Sequence, residues 1–209
     1  MDGIKPKIAM VTNWDNYCFD YEHIVIPNRR AYAKLHGYPL YEGHFAGMWG
    51  KVEAILAAWD TADYLWYLDF DAIIMDNKSI DWMADEDKFL ISCDSSGPQA
   101  GSMFIPANQK FKDIFEEVWE KKDLFENSPY LDQTSLATFL WRVRDDVKVV
   151  NSSVFNSNAT HFQISKFHHL WEPGDLVIHT PGMNARDRVY YLNKYAKLKE
   201  KNDKTLQIK

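Results

Sequence analysis

Two aspartates at the end of an apolar run are the residues of this sequence best suited to chemistry. Asp69 and Asp71 flank Phe70 directly after the apolar and aromatic run 64–68. In an extended chain, side chains two residues apart point to the same side, so both carboxylates can reach one ion while Phe70 turns into the core. Such oxygen ligands suit Mg²⁺ or Mn²⁺, which leave coordination positions for a diphosphate. Aspartates at strand ends also serve simply as turn formers, and the pattern leaves that alternative open.

A histidine in the last third of the chain extends this acidic pair. His179 closes another apolar run, over 175–179, and imidazole is a common metal ligand. An isolated histidine is more often a core or surface residue, so this expectation depends on the two aspartates. Together the three residues predict a site for Mn²⁺ or Mg²⁺ formed by Asp69, Asp71 and His179.

Short apolar runs alternate with amphipathic segments along the chain. The pattern predicts strands over 7–12, 38–41, 64–68, 72–75, 89–93, 102–105, 147–150 and 175–179. It predicts helices over 21–36, 49–59, 108–121 and 132–142, and a further one from about 184. Pro27 interrupts the first helical pattern, and Gly37 stands where a C-cap is expected. This order implies an α/β fold with a single, mostly parallel central sheet flanked by helices, whose ligands bind beyond the carboxyl ends of the strands.

Length and composition exclude several classes of protein. A chain of 209 residues predicts one domain with elaborations, here assigned to 1–197, with 198–209 as a frayed tail or a linker to a further domain. The 24 basic and 30 acidic residues give a net charge of −6, which argues against a nucleic-acid binder. No apolar run approaches the roughly 20 residues of a membrane span. Cys18 and Cys93 favour a reducing compartment, so we expect a cytoplasmic location.

Five segments carry a family resemblance, and they occur in the order that the family shows. They are Asn-x-x-x-Tyr-x-x-x-His-Gly at 28–37, Trp-Gly-Lys at 49–51, Trp-x-x-Asp-x-Asp-Ala at 66–72, Asp-Gln-x-Ser-Leu at 132–136 and Gly-Asp-x-x-x-His-x-x-Gly at 174–182. The chain resembles the galactosyl-, mannosyl- and xylosyltransferase group of glycosyltransferases with the GT-A fold. Its compact length also resembles that of chlorella-virus capsid-glycan glycosyltransferase domains, which would act in the host-cell cytoplasm.

The resemblance implies transfer of a hexose or deoxyhexose from a UDP-sugar, UDP-glucose-like or UDP-rhamnose-like, to a hydroxyl of a carbohydrate or glycoprotein acceptor. Asp69, Asp71 and His179 would bind the metal that stabilises the departing diphosphate. In an inverting enzyme Asp132 would deprotonate the acceptor, whereas in a retaining enzyme Asp132 and Gln133 would flank the reacting carbon. A helix N-cap is the alternative role for Asp132.

The resemblance also assigns donor-binding positions. Thr12 and Asn13 end the first strand where the family binds uridine, although simple strand capping explains them equally well. Lys51 would contact phosphate, or would be a solvated lysine in a first helical turn. Asp94 and the loop 95–101 resemble the segment where relatives place sugar and acceptor, although its composition also describes any turn.

One departure from the family follows Gly182. Relatives supply a lysine there that contacts the diphosphate, whereas this chain has Arg186 and Arg188 nearby. A guanidinium suits phosphate, so either arginine can take over that contact.

Two other functional classes fit parts of the pattern. A metal-dependent phosphohydrolase or nuclease would use Asp69 and Asp71, although no second carboxylate cluster is available for another ion. A noncatalytic nucleotide-sugar-binding domain of a longer polypeptide would keep the fold, although the metal ligands together with Asp132 argue against it. A hydrolase would release UDP without an acceptor, whereas a binding module would release none.

Overall fold

The strands form two sheets, and several of the predicted site residues lie at or just beyond the carboxyl ends of strands. A computed structural model describes residues 6–94, 97–128, 130–160 and 169–207. Nine strands lie within these ranges. They are β1 (Ile8–Asn13), β2 (Leu40–Gly43), β3 (Tyr64–Leu68), β4 (Ala72–Ile74), β5 (Phe89–Asp94), β6 (Gly97–Pro106), β7 (Val147–Val150), β8 (Ser157–Asn158) and β9 (Val177–His179).

The central sheet confirms the predicted α/β class. Its six strands have the order β2-β1-β3-β6-β5-β7. Strand β1 is parallel to both β2 and β3, and β5 is parallel to β7, whereas β6 is antiparallel to β3 and β5. The sheet is therefore mostly parallel, with one reversed strand. Strand β6 is longer than predicted because it forms a hairpin with β5 that begins at Gly97.

In addition to the central sheet, the described residues form a three-stranded sheet of order β4-β9-β8 that was not predicted. The sequence predicts strands over 72–75 and 175–179, but strands of two or three residues are too short to show how they pair. Strands β4 and β9 are antiparallel, with Ala72 opposite His179. This register places His179 next to the residue that follows Asp71.

Five α-helices pack around the sheets within the described residues: α1 (Glu22–His36), α2 (Gly50–Ala58), α3 (Gln109–Glu120), α4 (Leu131–Leu140) and α5 (Ala185–Gln207). Pro27 lies in the second turn of α1 and does not end it. Gly37 closes α1 as predicted, with a φ of 72° and its N–H bonded to the Ala33 carbonyl.

The core lies on both faces of the central sheet. On one face, residues of α2, α3 and α4 such as Ile55, Phe115 and Leu136 pack against the strands. On the other face, Tyr32 of α1 packs against Trp66. A third cluster joins α1 and α5 to Phe70, which is buried as predicted and stacks on Trp14. Helices therefore cover both faces and leave the carboxyl ends of the strands open.

Helix α5 continues through the segment that was expected to be frayed. Residues 198–207 are helical, and the Lys199 ammonium bonds the Asn77 side chain at 2.8 Å. The division of the chain at residue 197 stays a prediction. Across the described ranges, every helix lacks the combination of length and hydropathy that crossing a membrane requires. The cytoplasmic location also stays a prediction.

Candidate active site

A cavity of about 620 Å³ lies at the carboxyl ends of β1 and β3. Most of the sequence-predicted site residues line it: Asn13, Lys51, Asp69, Asp71, Asp132, Gln133 and His179. Its volume is within the range typical of small-molecule sites. The fold thus brings residues that are up to 166 positions apart in the sequence, from Asn13 to His179, to one place.

Asp69, Asp71 and His179 converge at the wall of this cavity. The Nε2 atom of His179 is 2.9 Å from Oδ1 of Asp71 and 3.9 Å from Oδ2 of Asp69. One ligand atom from each of the three residues lies within 4.8 Å of the other two. Two carboxylates and an imidazole at this spacing fit a single Mn²⁺ or Mg²⁺ ion, since both accept oxygen ligands and Mn²⁺ also accepts nitrogen.

The convergence comes from a turn and not from one extended strand. Residues 69–71 leave β3 in one sheet and turn into β4 in the other. The Asp69 N–H bonds the Gly101 carbonyl at 2.7 Å, and both the N–H and the hydroxyl of Thr180 bond the Asp71 carbonyl. The turn is therefore anchored by β6 on one side and by the end of β9 on the other.

Arg188 neutralises part of this acidic cluster. Its Nε lies 3.1 Å from Oδ2 of Asp71. Burial raises the pKa of Asp71, but the nearby His179 and Arg188 lower it by more, so the net pKa lies below its usual range. Arg186 is exposed and is not among the residues that line the cavity. Of the two arginines considered for a diphosphate contact, Arg188 is the one at the cavity.

Lys51 is buried, so the solvated alternative for it is wrong. Its Nζ lies 2.7 Å from Oδ2 of Asp132 and 3.1 Å from Oδ1 of Asp69, and it donates to the Ala100 carbonyl. Burial lowers the pKa of this ammonium, but the carboxylates of Asp132 and Asp69 raise it by more, so the net pKa is above its ordinary value. Lys51 therefore joins the predicted metal ligands to the predicted reacting carboxylate.

Asp132 lies in the first turn of α4 and does not cap it. The N-cap position is Tyr130, whose side chain makes no capping bond, so the N-cap alternative for Asp132 was wrong. Asp132 is only 2% exposed, and its partner is Lys51. Gln133 is next to it at the cavity, where its Oε1 accepts a bond of 3.4 Å from the Ala100 N–H.

The two residues that end β1 have different surroundings. Thr12 is fully buried, is not among the lining residues, and donates its hydroxyl proton to the Leu68 carbonyl. Asn13 reaches the cavity, but its side-chain amide bonds both the N–H and the carbonyl of Phe45 at 2.9 and 3.0 Å. Asn13 thus fixes the loop that leads into α2. Asp94 ends β5 opposite Gly97, and its side chain lies outside the described part of the chain.

Two further residues support the site, and the sequence analysis missed both. The Tyr67 hydroxyl donates to Oδ1 of Asp69 at 2.9 Å, and strand alternation places Tyr67 on the same side as Asp69. Arg29 is completely buried in α1, and its Nη2 donates to the carbonyls of Asp69 and Ala72 at 3.0 and 2.9 Å. The alternation of side chains along β3 could have identified Tyr67 from the sequence. No local pattern distinguishes Arg29 from an exposed arginine of an amphipathic helix.

Comparisons with known proteins show what the chain is similar to in sequence and in fold. Residues 5–81 match the model of the galactosyl transferase GMA12/MNN10 family. An α-1,2-galactosyltransferase of Schizosaccharomyces pombe is 25% identical, over 88% of this chain and 63% of its own length. A probable α-1,6-mannosyltransferase, MNN10, of Saccharomyces cerevisiae is 24% identical, over 86% of this chain and 60% of its own length. The chain spans about three fifths of these curated relatives.

The solved structures show which fold this is. The crystal structure of a glycosyltransferase involved in glycosylation of the major capsid of PBCV-1 superimposes with a TM-score of 0.73. The two chains are 15% identical, and the match covers 90% of this chain and all of the other. The chain therefore has the GT-A glycosyltransferase fold, and in sequence it resembles the galactosyl- and mannosyltransferases of the GMA12/MNN10 family.

Proposed function

We propose that this protein is a metal-dependent glycosyltransferase that moves a hexose or deoxyhexose from a UDP-sugar to a hydroxyl of a glycan or glycoprotein acceptor. The observation that carries this proposal is the convergence of Asp69, Asp71 and His179 beside the Lys51–Asp132 ion pair in one cavity. The galactosyl- and mannosyltransferase names of the two curated relatives support a hexose as the transferred group.

Asp69, Asp71 and His179 would hold Mn²⁺ or Mg²⁺. When bound, the metal would supply Lewis-acid stabilisation of the negative charge that develops on the diphosphate leaving group. Tyr67 and Arg29 orient Asp69. Tyr67 donates to the Asp69 carboxylate, and Arg29 donates to the Asp69 main-chain carbonyl. Their contacts fix the direction in which that carboxylate faces the cavity.

Arg188 supplies a second positive charge for the diphosphate. Its guanidinium is adjacent to Asp71 and at the cavity wall, and a planar guanidinium can donate two parallel hydrogen bonds to phosphate oxygens. We assign to Arg188 the diphosphate contact that relatives make with a lysine.

Asp132 and Gln133 act at the reacting sugar. Because Lys51 holds one oxygen of Asp132 at 2.7 Å, the carboxylate has a fixed orientation at the cavity. Its negative charge can stabilise the positive charge that develops on the anomeric carbon as the leaving group departs. The Gln133 amide is the neighbouring polar group for a hydroxyl of the donor or the acceptor.

A test is to measure UDP release from a panel of UDP-sugars with Mn²⁺, in the presence and absence of simple glycosides as acceptors. We expect release that an acceptor stimulates at least tenfold, that EDTA abolishes, and that Asp132→Asn reduces by two orders of magnitude or more. Asp113→Asn, on an exposed position of α3, is the matched control and should leave the rate unchanged. Release that is independent of any acceptor would instead support a hydrolase, and no release with any donor would support a binding module.

A further inference from the structure

The two ring nitrogens of His179 have different partners. Nε2 faces the acidic cluster, 2.9 Å from Oδ1 of Asp71. Nδ1 faces away from it, 3.0 Å from Oδ1 of Asn156. Asn156 is completely buried directly before β8, and His179 is 3% exposed. Without a metal, a hydrogen bond between Nε2 and the Asp71 carboxylate requires a proton on Nε2, which a bound metal would replace.

The orientation of the Asn156 amide is set by two further buried side chains. Its Nδ2 lies 3.0 Å from the Ser92 hydroxyl and also bonds Oε1 of Gln99, which is itself 4% exposed. The NH₂ group of an amide can only donate and its oxygen can only accept. With the NH₂ group directed at Ser92 and Gln99, the amide oxygen must face His179. A hydrogen bond to that oxygen requires a proton on Nδ1.

We propose that Asn156 is a positioning residue that keeps a proton on Nδ1 of His179 and directs Nε2 toward the metal. Metal-binding histidines commonly donate their other ring N–H to an oxygen, which fixes both the tautomer and the ring plane. A neutral amide does this without adding a third negative charge beside Asp69 and Asp71. The inference rests on the proposed function to the extent that His179 binds the metal.

The proton on Nδ1 can be observed directly by NMR. We would label the metal-free protein with ¹⁵N-histidine, assign the His179 ring with the His179→Gln variant, and record the ring nitrogen shifts and the exchange of the ring protons. The wild type should carry a proton on Nδ1 that is protected from exchange, whether or not Nε2 also carries one toward Asp71. Asn156→Ala should lose this protected proton, whereas Asn156→Asp should keep it because a carboxylate oxygen accepts the same proton.

Metal affinity provides a second readout. Titration with Mn²⁺ alone should show binding weakened about 10- to 100-fold in Asn156→Ala, the range seen when such supporting partners are removed. Asn156→Asp should retain most of the affinity, and Asn202→Ala, on the exposed surface of α5, should bind as the wild type does.

An Nδ1 without a proton in the wild type would overturn the inference, as would an Asn156→Ala protein that keeps both the protected Nδ1 proton and the Mn²⁺ affinity. If Asn156→Ala does not fold, the Nδ1 of the wild type and of the Asn156→Asp variant decides the question. Failure of the wild type to bind Mn²⁺ at all would contradict the proposed function, and the Nδ1 proton would still report separately on Asn156.

Discussion

Among single residues, Lys51 links the two acidic parts of the cavity. Its ammonium contacts Asp69 at the end of β3 and Asp132 in α4, and all three side chains are largely buried. Removing one partner of a buried ion pair leaves an uncompensated charge, which costs much more than the intact pair contributes. Lys51 therefore affects both the stability of the fold and the charge of the site.

Replacing Lys51 with methionine should lower the free energy of unfolding by about 3–5 kcal/mol, because two carboxylates lose their cation. Urea denaturation measures the change. Lys78→Met is the matched control, since that side chain is 68% exposed and its ion pair with Asp76 should contribute under about 1 kcal/mol. The double variant Lys51→Met/Asp132→Asn should recover part of the loss. Simple additivity of the two substitutions would contradict the proposed coupling.

The acid sensitivity of the metal-free protein should depend on Asp71. Its pKa in the fold is below the ordinary value of about 4, so its stabilising contribution is complete above that pH. The contribution is lost as the pH falls through the lower pKa of the folded state. Denaturation at a series of acidic pH values should therefore show a shallower loss of stability in Asp71→Asn than in the wild type. Asp113→Asn should keep the wild-type slope, and equal slopes for all three proteins would contradict this assignment.

At the scale of elements, the close approach of β6 to the end of β9 positions the proposed metal ligands. Gly101 of β6 accepts the Asp69 N–H, and a Cβ atom at Gly101 would lie 2.3 Å from Cε1 of His179. Only a residue without a side chain leaves room for the imidazole in this position. The hairpin of β5 and β6 thus contributes to the site through its backbone.

Gly101→Ala should displace the His179 ring and weaken Mn²⁺ binding at least tenfold, as measured by titration calorimetry. It should also destabilise the protein, because the buried ring must move. In a His179→Ala background the same substitution should cost much less stability, since the clash is gone. A Gly101→Ala protein with the wild-type affinity for Mn²⁺ would show that the ring does not occupy this position.

The order of strands and helices was predictable because each element has its own local pattern. The runs at 64–68 and 147–150 correspond to β3 and β7 without change. Strands β4, β8 and β9 are too short to show how they pair, so the second sheet and the register of Ala72 with His179 could not be predicted. The register of that sheet is what brings His179 to Asp71.

At the scale of the whole molecule, the polar residues that end the parallel strands were predictable as a group, because the carboxyl ends of such strands meet at one edge. This rule identified Asp69, Asp71 and Asn13 as residues of the cavity. It could not identify Arg29 or Asn156, because each acts from inside the core through residues distant in sequence. Their roles depend on tertiary contacts that no single segment encodes.

Charge balance explains why the metal and the nucleotide should bind together. The cavity places Asp69, Asp71 and Asp132 against Lys51 and Arg188, while Arg29 lies beneath the turn that carries Asp69 and Asp71. Asp15 also lines the cavity, so four carboxylates face three cationic side chains and the site carries little net charge. A divalent cation and a nucleotide diphosphate bring opposite charges, so each should favour the binding of the other.

The most direct test of this account is a calorimetric titration of the protein with UDP in the presence of Mn²⁺, repeated with EDTA and with Asp71→Asn. The account predicts micromolar binding with Mn²⁺ that disappears in EDTA and in Asp71→Asn, while Asp113→Asn binds as the wild type does. No binding of UDP by the wild type, or binding that persists in EDTA and in Asp71→Asn, would contradict a metal-dependent nucleotide-sugar site at Asp69, Asp71 and His179.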